Sequence, residues 1–315
     1  MRSLAASLAV LALVAAAAGC SVGASPEGSG TVTLTVTRDF GSKTLLQYSR
    51  SSVPKDDTIM RFLQRHAKVE TRYGGRFVNA IDGVRSSTSG GEREDWFYYV
   101  NGTEADAGAA ERTLHSGDRV WWDYHEWSRV MRVPAVVGSY PEPFLHGSEG
   151  KLYPVRIDCA QDARKACRKV GDRLDAAGVA ASTSAIGAAA GKDVLRLVVG
   201  EWAEARQDAA ARQIEDGPEK SGVFATFARS PSGYELELMD RSAAVVGRAS
   251  VGAGLVAATR FEEQQPTWVI TGTDAAGLER AVGLLDVRLL RDRFAAAAVA
   301  GKPVSLPVRV DGQGP

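Results

Sequence analysis

The chain is poor in the residue types that metal centres and nucleophilic enzymes lean on. It holds three cysteines and four histidines in 315 residues. None of the histidines (His66, His115, His125, His146) falls into a metal-binding spacing such as His-Glu-x-x-His, so no metal site is assigned. No Gly-x-Ser-x-Gly elbow occurs. Charge of one sign is missing too: 38 basic residues face 38 acidic ones, which argues against nucleic acid as a partner. The first uncharged run, residues 4–18, is about fifteen residues long where a spanning helix needs about twenty. Two glycine patterns come to little. Gly252-Ala253-Gly254-Leu255-Val256-Ala257 fits a dinucleotide fingerprint but leads into a strand pattern, and reads as a turn where backbones pack closely. Gly187 to Lys192 is one residue short of a phosphate loop and carries Asp193 where Ser or Thr should stand. With no convergent acid, base or nucleophile, no catalytic residue is assigned and the chain is read as a non-enzyme without a resident cofactor.

What is present begins at the first residues. Met1-Arg2-Ser3 gives a basic start, the short apolar run follows, and small residues close it, which is the pattern of an export signal. The closing Ala17-Ala18-Gly19-Cys20 resembles the bacterial lipobox. That resemblance implies a diacylated Cys20, with residues 1–20 as signal peptide, the lipid bilayer as partner, and a place on the outer face of the cell membrane. An ordinary secretory signal with a chance cysteine is the alternative. Residues 21–30, rich in Ser, Gly and Ala, read as a flexible tether.

The remaining cysteines, Cys159 and Cys167, form an even pair in an oxidising compartment, which favours a disulfide. Within one helix, eight residues would part them by roughly 12 Å, too far to bridge. A bridge therefore requires Cys159 to precede the helix.

The patterning predicts an α+β chain of two domains. Residues 31–37 alternate Thr with Val32, Leu34 and Val36, a half-buried strand. Asp56 or Asp57 would cap a helix to about Lys68, with Ile59, Phe62, Leu63 and His66 on one stripe. A strand over 76–84, a loop over 85–94, and aromatic strands over 96–100 and 119–124 complete residues 31–132. Residues 133–151 hold Pro134, Pro141 and Pro143 among glycines and read as a linker. Residues 152–310 alternate strands with helices at 160–177, 203–214 and 274–299, a mixed α/β domain. In it, Glu201-Trp202 and Thr271 to Asp274 follow apolar strands, where crevices form, but Thr273 or Asp274 equally suits a helix cap.

Trp96-Phe97-Tyr98-Tyr99-Val100-Asn101-Gly102, followed by Gly117-Asp118-Arg119-Val120-Trp121-Trp122-Asp123-Tyr124, resembles the transcobalamin-like C-terminal domain, also known as domain of unknown function 4430. The resemblance implies a β-grasp fold over the first domain and ligand binding, with a corrinoid or other cofactor-like solute as the class and an importer as the partner served. Asn101, Gly102, Gly117 and Asp118 read as turn-makers. Period two sends Trp96 and Tyr98 to one face and Tyr99 to the other, and likewise opposes Trp121 to Trp122 and Tyr124. A single helix cannot hide both faces, and rings of roughly 150–250 Å² each exceed what a monomer leaves bare. The cover is a small molecule, an envelope protein partner or the second domain. The candidate ligand residues are Trp96, Tyr98, Tyr99, Trp121, Trp122 and Tyr124.

Overall fold

A computed structural model of the chain describes residues 30–310, apart from Ser232 and Glu263. Cys20 and the tether up to residue 29 lie outside the described residues. No helix among those described is long and apolar enough to cross a membrane.

The first lobe opens with β1 (Val32–Arg38), whose Val32, Leu34 and Val36 are buried as the alternation demands. It turns into β2 (Lys43–Arg50), an edge strand that the sequence concealed, because its side chains are mostly exposed and show no apolar alternation. Helix α1 (Ile59–Gln64) is shorter than expected and is capped by Thr58, whose hydroxyl accepts from the Arg61 amide at 3.2 Å. Asp57 instead accepts from the Thr58 amide and pairs with Arg65. A small sheet follows: β3 (Val69–Arg72), β4 (Phe77–Ile81) and β5 (Val84–Arg85), the last two joined at Asp82-Gly83, both at positive φ. Where a loop was expected, β6 (Ser87–Ser89) and β7 (Glu92–Val100) form a hairpin around Gly90-Gly91. After β8 (Thr103–Glu104), β9 (Arg119–Glu126) completes a sheet of order β2-β1-β9-β7-β6, with β8 on β7. β1 and β9 run parallel and the other pairs antiparallel. Ile59, Phe62 and Leu63 of α1 pack on one face, over Leu34, Trp96 and Trp122.

The second lobe centres on a sheet of order β11-β10-β12-β17-β16-β18-β19: β10 (Val155–Cys159), β11 (Ala181–Ala185), β12 (Leu195–Glu201), β16 (Gly254–Thr259), β17 (Thr267–Gly272), β18 (Ala295–Val299) and β19 (Lys302–Leu306). The first four in that order are parallel and the rest antiparallel. Helices α2 (Arg164–Ala176) and α6 (Ala275–Leu284) cover one face with Val170, Leu174, Leu278 and Val282. The other face meets short helices α3 (Trp202–Ala205), α4 (Ala209–Arg212) and α5 (Pro218–Ser221), and the sheet of β13 (Ala225–Ser230), β14 (Gly233–Met239) and β15 (Val245–Ala249). Cys159 ends β10 and Cys167 lies in α2; the two are disulfide-bonded with Cα atoms 6.0 Å apart.

Two helical expectations fail. The 203–214 helix is broken by Asp208, whose carboxylate caps α4 through the amides of Ala210 and Ala211. The long final helix ends at Leu284; Asp286 caps a single further turn, α7 (Val287–Leu290), and the alanine run 295–298 is a strand. Alanine favours helix intrinsically, but β18 pairs with β16 and β19, and its alanines alternate between the two buried faces of the sheet. Tertiary packing overrides propensity there.

The lobes share one apolar core. Phe40, Tyr99 and Trp121 of the first sheet's second face pack with Phe224, Leu255, Ala297 and Phe294 of the second lobe. Residues 133–150 join the lobes without regular structure, yet Val133, Val136 and Val137 are buried, and the Val137 amide donates to the Phe294 carbonyl at 3.1 Å. Phe294 lies edge-on to Phe40, Tyr99, Trp121 and His125, with ring centroids 5.1–5.6 Å away. Phe294→Ala is therefore expected to cost about 3–5 kcal/mol in urea unfolding, and to expose Trp121 to solvent quenchers of fluorescence. A loss below about 1 kcal/mol would show that the lobes do not depend on this contact.

Candidate functional site

The six candidate rings divide as period two requires. Trp96, Tyr98, Trp122 and Tyr124 face α1, and Tyr99 and Trp121 face the second lobe. All six are buried. The cover over Tyr99 and Trp121 is the second lobe, which leaves at the seam a cleft of about 360 Å³ lined by Trp121 with Gln47, Tyr48, Arg119, Arg291 and Asp292. Trp121 donates its indole N–H to the Thr37 hydroxyl at 2.7 Å, beneath Phe294.

On the helix side the polar tips are mostly satisfied. Trp96 donates to the Val84 carbonyl at 3.0 Å, Tyr124 to the Arg85 carbonyl at 2.8 Å, and Tyr98 to the Ala107 carbonyl at 2.5 Å. Burial pushes the Tyr98 phenol up to about 12, so it stays a donor. Trp122 is the exception. It is 2% exposed, stacks on Tyr98 at 4.8 Å, and its indole N–H has no acceptor among the described residues. A buried donor left so costs about 1–3 kcal/mol.

Trp122 also helps wall a cleft of about 470 Å³, together with Trp96, Tyr98, Phe77, Val78 and Met131, and with the backbone bend 105–109. Met131 is 66% exposed at its rim. Tyr73, 79% exposed, lies edge-on to Phe77 and extends this apolar lip. The charged residues of the wall are paired: Arg132 with Glu104 at 2.9 Å, Asp106 with Arg112 at 3.2 Å, and Arg76 with Glu111 at 3.5 Å. Burial raises the Glu104 carboxyl from its ordinary value, against the pull of Arg132. Sequence reasoning found the floor but missed the walls. Phe77 and Met131 stand outside the aromatic motif, and only Phe77 belonged to an expected strand.

The turn motif is a buried clamp. Asn101 and Gly102 both take positive φ. Asn101 donates from Nδ2 to Asp118 Oδ1 at 3.0 Å and to the Gly147 carbonyl at 2.9 Å, and accepts at Oδ1 from the Arg119 amide at 2.8 Å. Asp118 accepts from the His115 amide at 2.8 Å. A side chain at Gly102 would run into the Val136 carbonyl, and one at Gly117 into the His146 ring. These four residues hold two strands and the connecting segment together, well inside the protein.

In the second lobe a cleft of about 400 Å³ opens beside the ends of β12 and β17, lined by Asp162, Lys165, Glu201, Glu204, Ala275 and Glu279, while the glycine and cap motifs have structural partners. Asp274 caps α6 through the Gly277 amide and also accepts from the Gly252 amide, each at 2.7 Å. Gly254 and Gly277 let β16 and α6 touch backbone to backbone. Trp202 is fully buried and stacks on Phe227 at 4.2 Å. Among the described residues, no group of three or more His, Cys, Asp or Glu is placed to hold a metal ion.

Residues 56–126 match a family model described as Domain of unknown function (DUF4430), which spans α1 to β9 but leaves out β1 and β2. Among solved structures, the chain is similar to a "putative metal binding protein" from Ruminococcus gnavus ATCC 29149, at 15% identity and a TM-score of 0.25 over 31% of this chain and 98% of that one. No curated protein matches.

His146 reports on the clamp. Its Nδ1 lies 2.7 Å from Oε1 of the buried Glu142, and that contact, more than any other, raises its pKa above the ordinary 6.5. A raised folded pKa adds stability that is fully present below the unfolded value and disappears as pH rises through the folded one. Glu142→Gln should therefore destabilise the protein more at about pH 5.5 than at about pH 8.5 in denaturant titrations. Equal losses at both would remove the ion pair from the account.

Proposed function

We propose that this protein is an extracytoplasmic lipoprotein, held on the outer face of a bacterial membrane by a lipid on Cys20, that captures a small molecule in the Trp96–Tyr98–Trp122 cleft. The observation that carries the reading is the cleft itself: an aromatic floor, an exposed apolar lip and a wall whose charged residues are paired, in the size range of small-molecule sites. A β-grasp identity for the first lobe, in the transcobalamin-like sense, draws support from the β1–β2 hairpin, the single helix and the parallel pairing of β1 with β9. A corrinoid or another cofactor-like solute is then the candidate class, and an importer the candidate recipient. A corrin ring would seat only an edge or a substituent in so small a space. The reading is of capture by burial, without chemistry on the ligand.

A second reading, docking of an envelope protein, draws on Val245, Val246 and Val251, which are exposed at and beside β15, the last of them 77%. The two separate in one experiment. Tryptophan fluorescence of the full chain is followed against a solute panel that includes cobalamin. Capture predicts a saturable quench that weakens at least about tenfold in Met131→Asp and survives in Val251→Asp. No response across the panel would favour docking instead. The anchor is tested apart from this: Cys20→Ala should move the protein from the membrane to the soluble fraction, and continued membrane association would end the lipid proposal.

A further inference from the structure

The cleft at the seam lies on the opposite face of the first sheet from the Trp122 cleft, and its lining is of another kind. Leu34 and Val120 point to α1, so period two turns Thr33, Thr35 and Arg119 toward the second lobe. Gln47 and Ser49 of β2 pair with Thr35 and Thr33 and share that face. The second lobe packs apolar rings over Tyr99 and Trp121 in the middle of the sheet. Toward β2 a space of about 360 Å³ remains, closed on the far side by Arg291 and Asp292. That volume falls within the range of small-molecule sites.

The hydroxyls of Thr33, Thr35 and Ser49, on adjacent strands, have no protein partner among the described residues, and each can both donate and accept. The charges of the lining are unbalanced. Arg119 is half-buried and reaches the connecting segment, where its Nη1 donates to the Tyr140 carbonyl at 3.1 Å, but no carboxylate pairs with it among the described residues. Arg291, exposed at the rim, is likewise without an ion pair there. The one carboxyl of the lining, Asp292, is raised from its ordinary value by burial, with Arg291 pulling it back. A guanidinium drawn partly out of water without a counter-charge is a cost, and its planar fork matches a carboxylate.

We propose that the seam cleft is a second binding site, for a small hydroxylated acid of the sugar-acid type. Its carboxylate lies between Arg119 and Arg291, and its hydroxyls meet those of Thr33, Thr35 and Ser49.

The test compares D-glucuronate with D-glucose, which share a ring and differ in one carboxylate, by calorimetric titration of the full chain carrying Cys20→Ala. Glucuronate should bind at least about tenfold more tightly than glucose. Arg291→Gln, at an exposed position, should weaken glucuronate about tenfold and leave glucose within about twofold. Ser49→Glu, also exposed, places a like charge in the cleft and should abolish glucuronate binding. Met131→Asp, in the cleft of the other face, should change neither sugar. Equal binding of the two sugars overturns the proposal without recourse to any variant. Unchanged glucuronate affinity in either folded seam variant overturns it too, as does a loss in folded Met131→Asp. If neither sugar binds, the seam site falls and the reading of the Trp122 cleft is untouched.

Discussion

A single sheet with large aromatic rings on both faces is the constraint from which the rest of this architecture follows. Tyr99 and Trp121, on the face away from α1, would each expose roughly 150–250 Å² if the first lobe stood alone. At about 25 cal/mol per Å² their burial is worth about 12 kcal/mol at most, comparable to the whole stability of a typical domain. A linker that let the lobes part would forfeit that. Residues 133–137 are accordingly built into the core, and Phe294 seats between Phe40, Tyr99 and Trp121. The second lobe is therefore as much a structural cover for the first as a unit with a task of its own.

The shared core also explains where polar groups sit. Asp123 and Thr37 are fully buried at the seam between the lobes. Asp123 accepts from the Gly41 amide with both oxygens, and Thr37 takes the Trp121 indole. Burial raises the Asp123 carboxyl from its ordinary value, and His125 and the Gly41 amide only partly offset this. Apolar area holds the lobes together, and these bonds, all within the first lobe, fix the turn after β1 and the Trp121 ring at the seam. Asn101 does the same at the other end of the strands, where one amide side chain ties β7, β9 and the connecting segment.

Much of this was legible. Alternation placed Val32, Leu34 and Val36 inside, and assigned each aromatic ring to its face, because a strand's period is two whatever surrounds it. Asn101-Gly102 and Gly117-Asp118 announced turns because few other residues take positive φ cheaply. What failed was context. β2 carries no inward-facing pattern because it is an edge strand, and 295–298 looks helical because alanine says nothing about the space it must fit. The cover over Tyr99 and Trp121 was one of three foreseen. Choosing among them depended on Phe294, more than 170 residues away in sequence and hidden within an apparent helix. The cleft was less legible still. Its floor lies in the motif, but its walls come from β4, from 105–109 and from Met131, segments whose meeting only the fold decides.

The cleft can be traced to a mismatch of lengths. Helix α1 has six residues, hence about 9 Å of axis, while the nine residues of β7 reach roughly 30 Å. The helix can therefore shield only part of the aromatic face it packs on. The small sheet of β3, β4 and β5 contributes Val78 and Ile81, and the stretch after β8 contributes Ala109 and Leu114, to close more of it. These covers come from separate pieces of chain. Unlike the contiguous second lobe on the opposite face, they meet imperfectly over Trp96, Tyr98 and Trp122. One face of the sheet is covered mainly by one large partner in the same chain, and the other is patched by small ones. A cleft floored by aromatic rings is what such patching leaves.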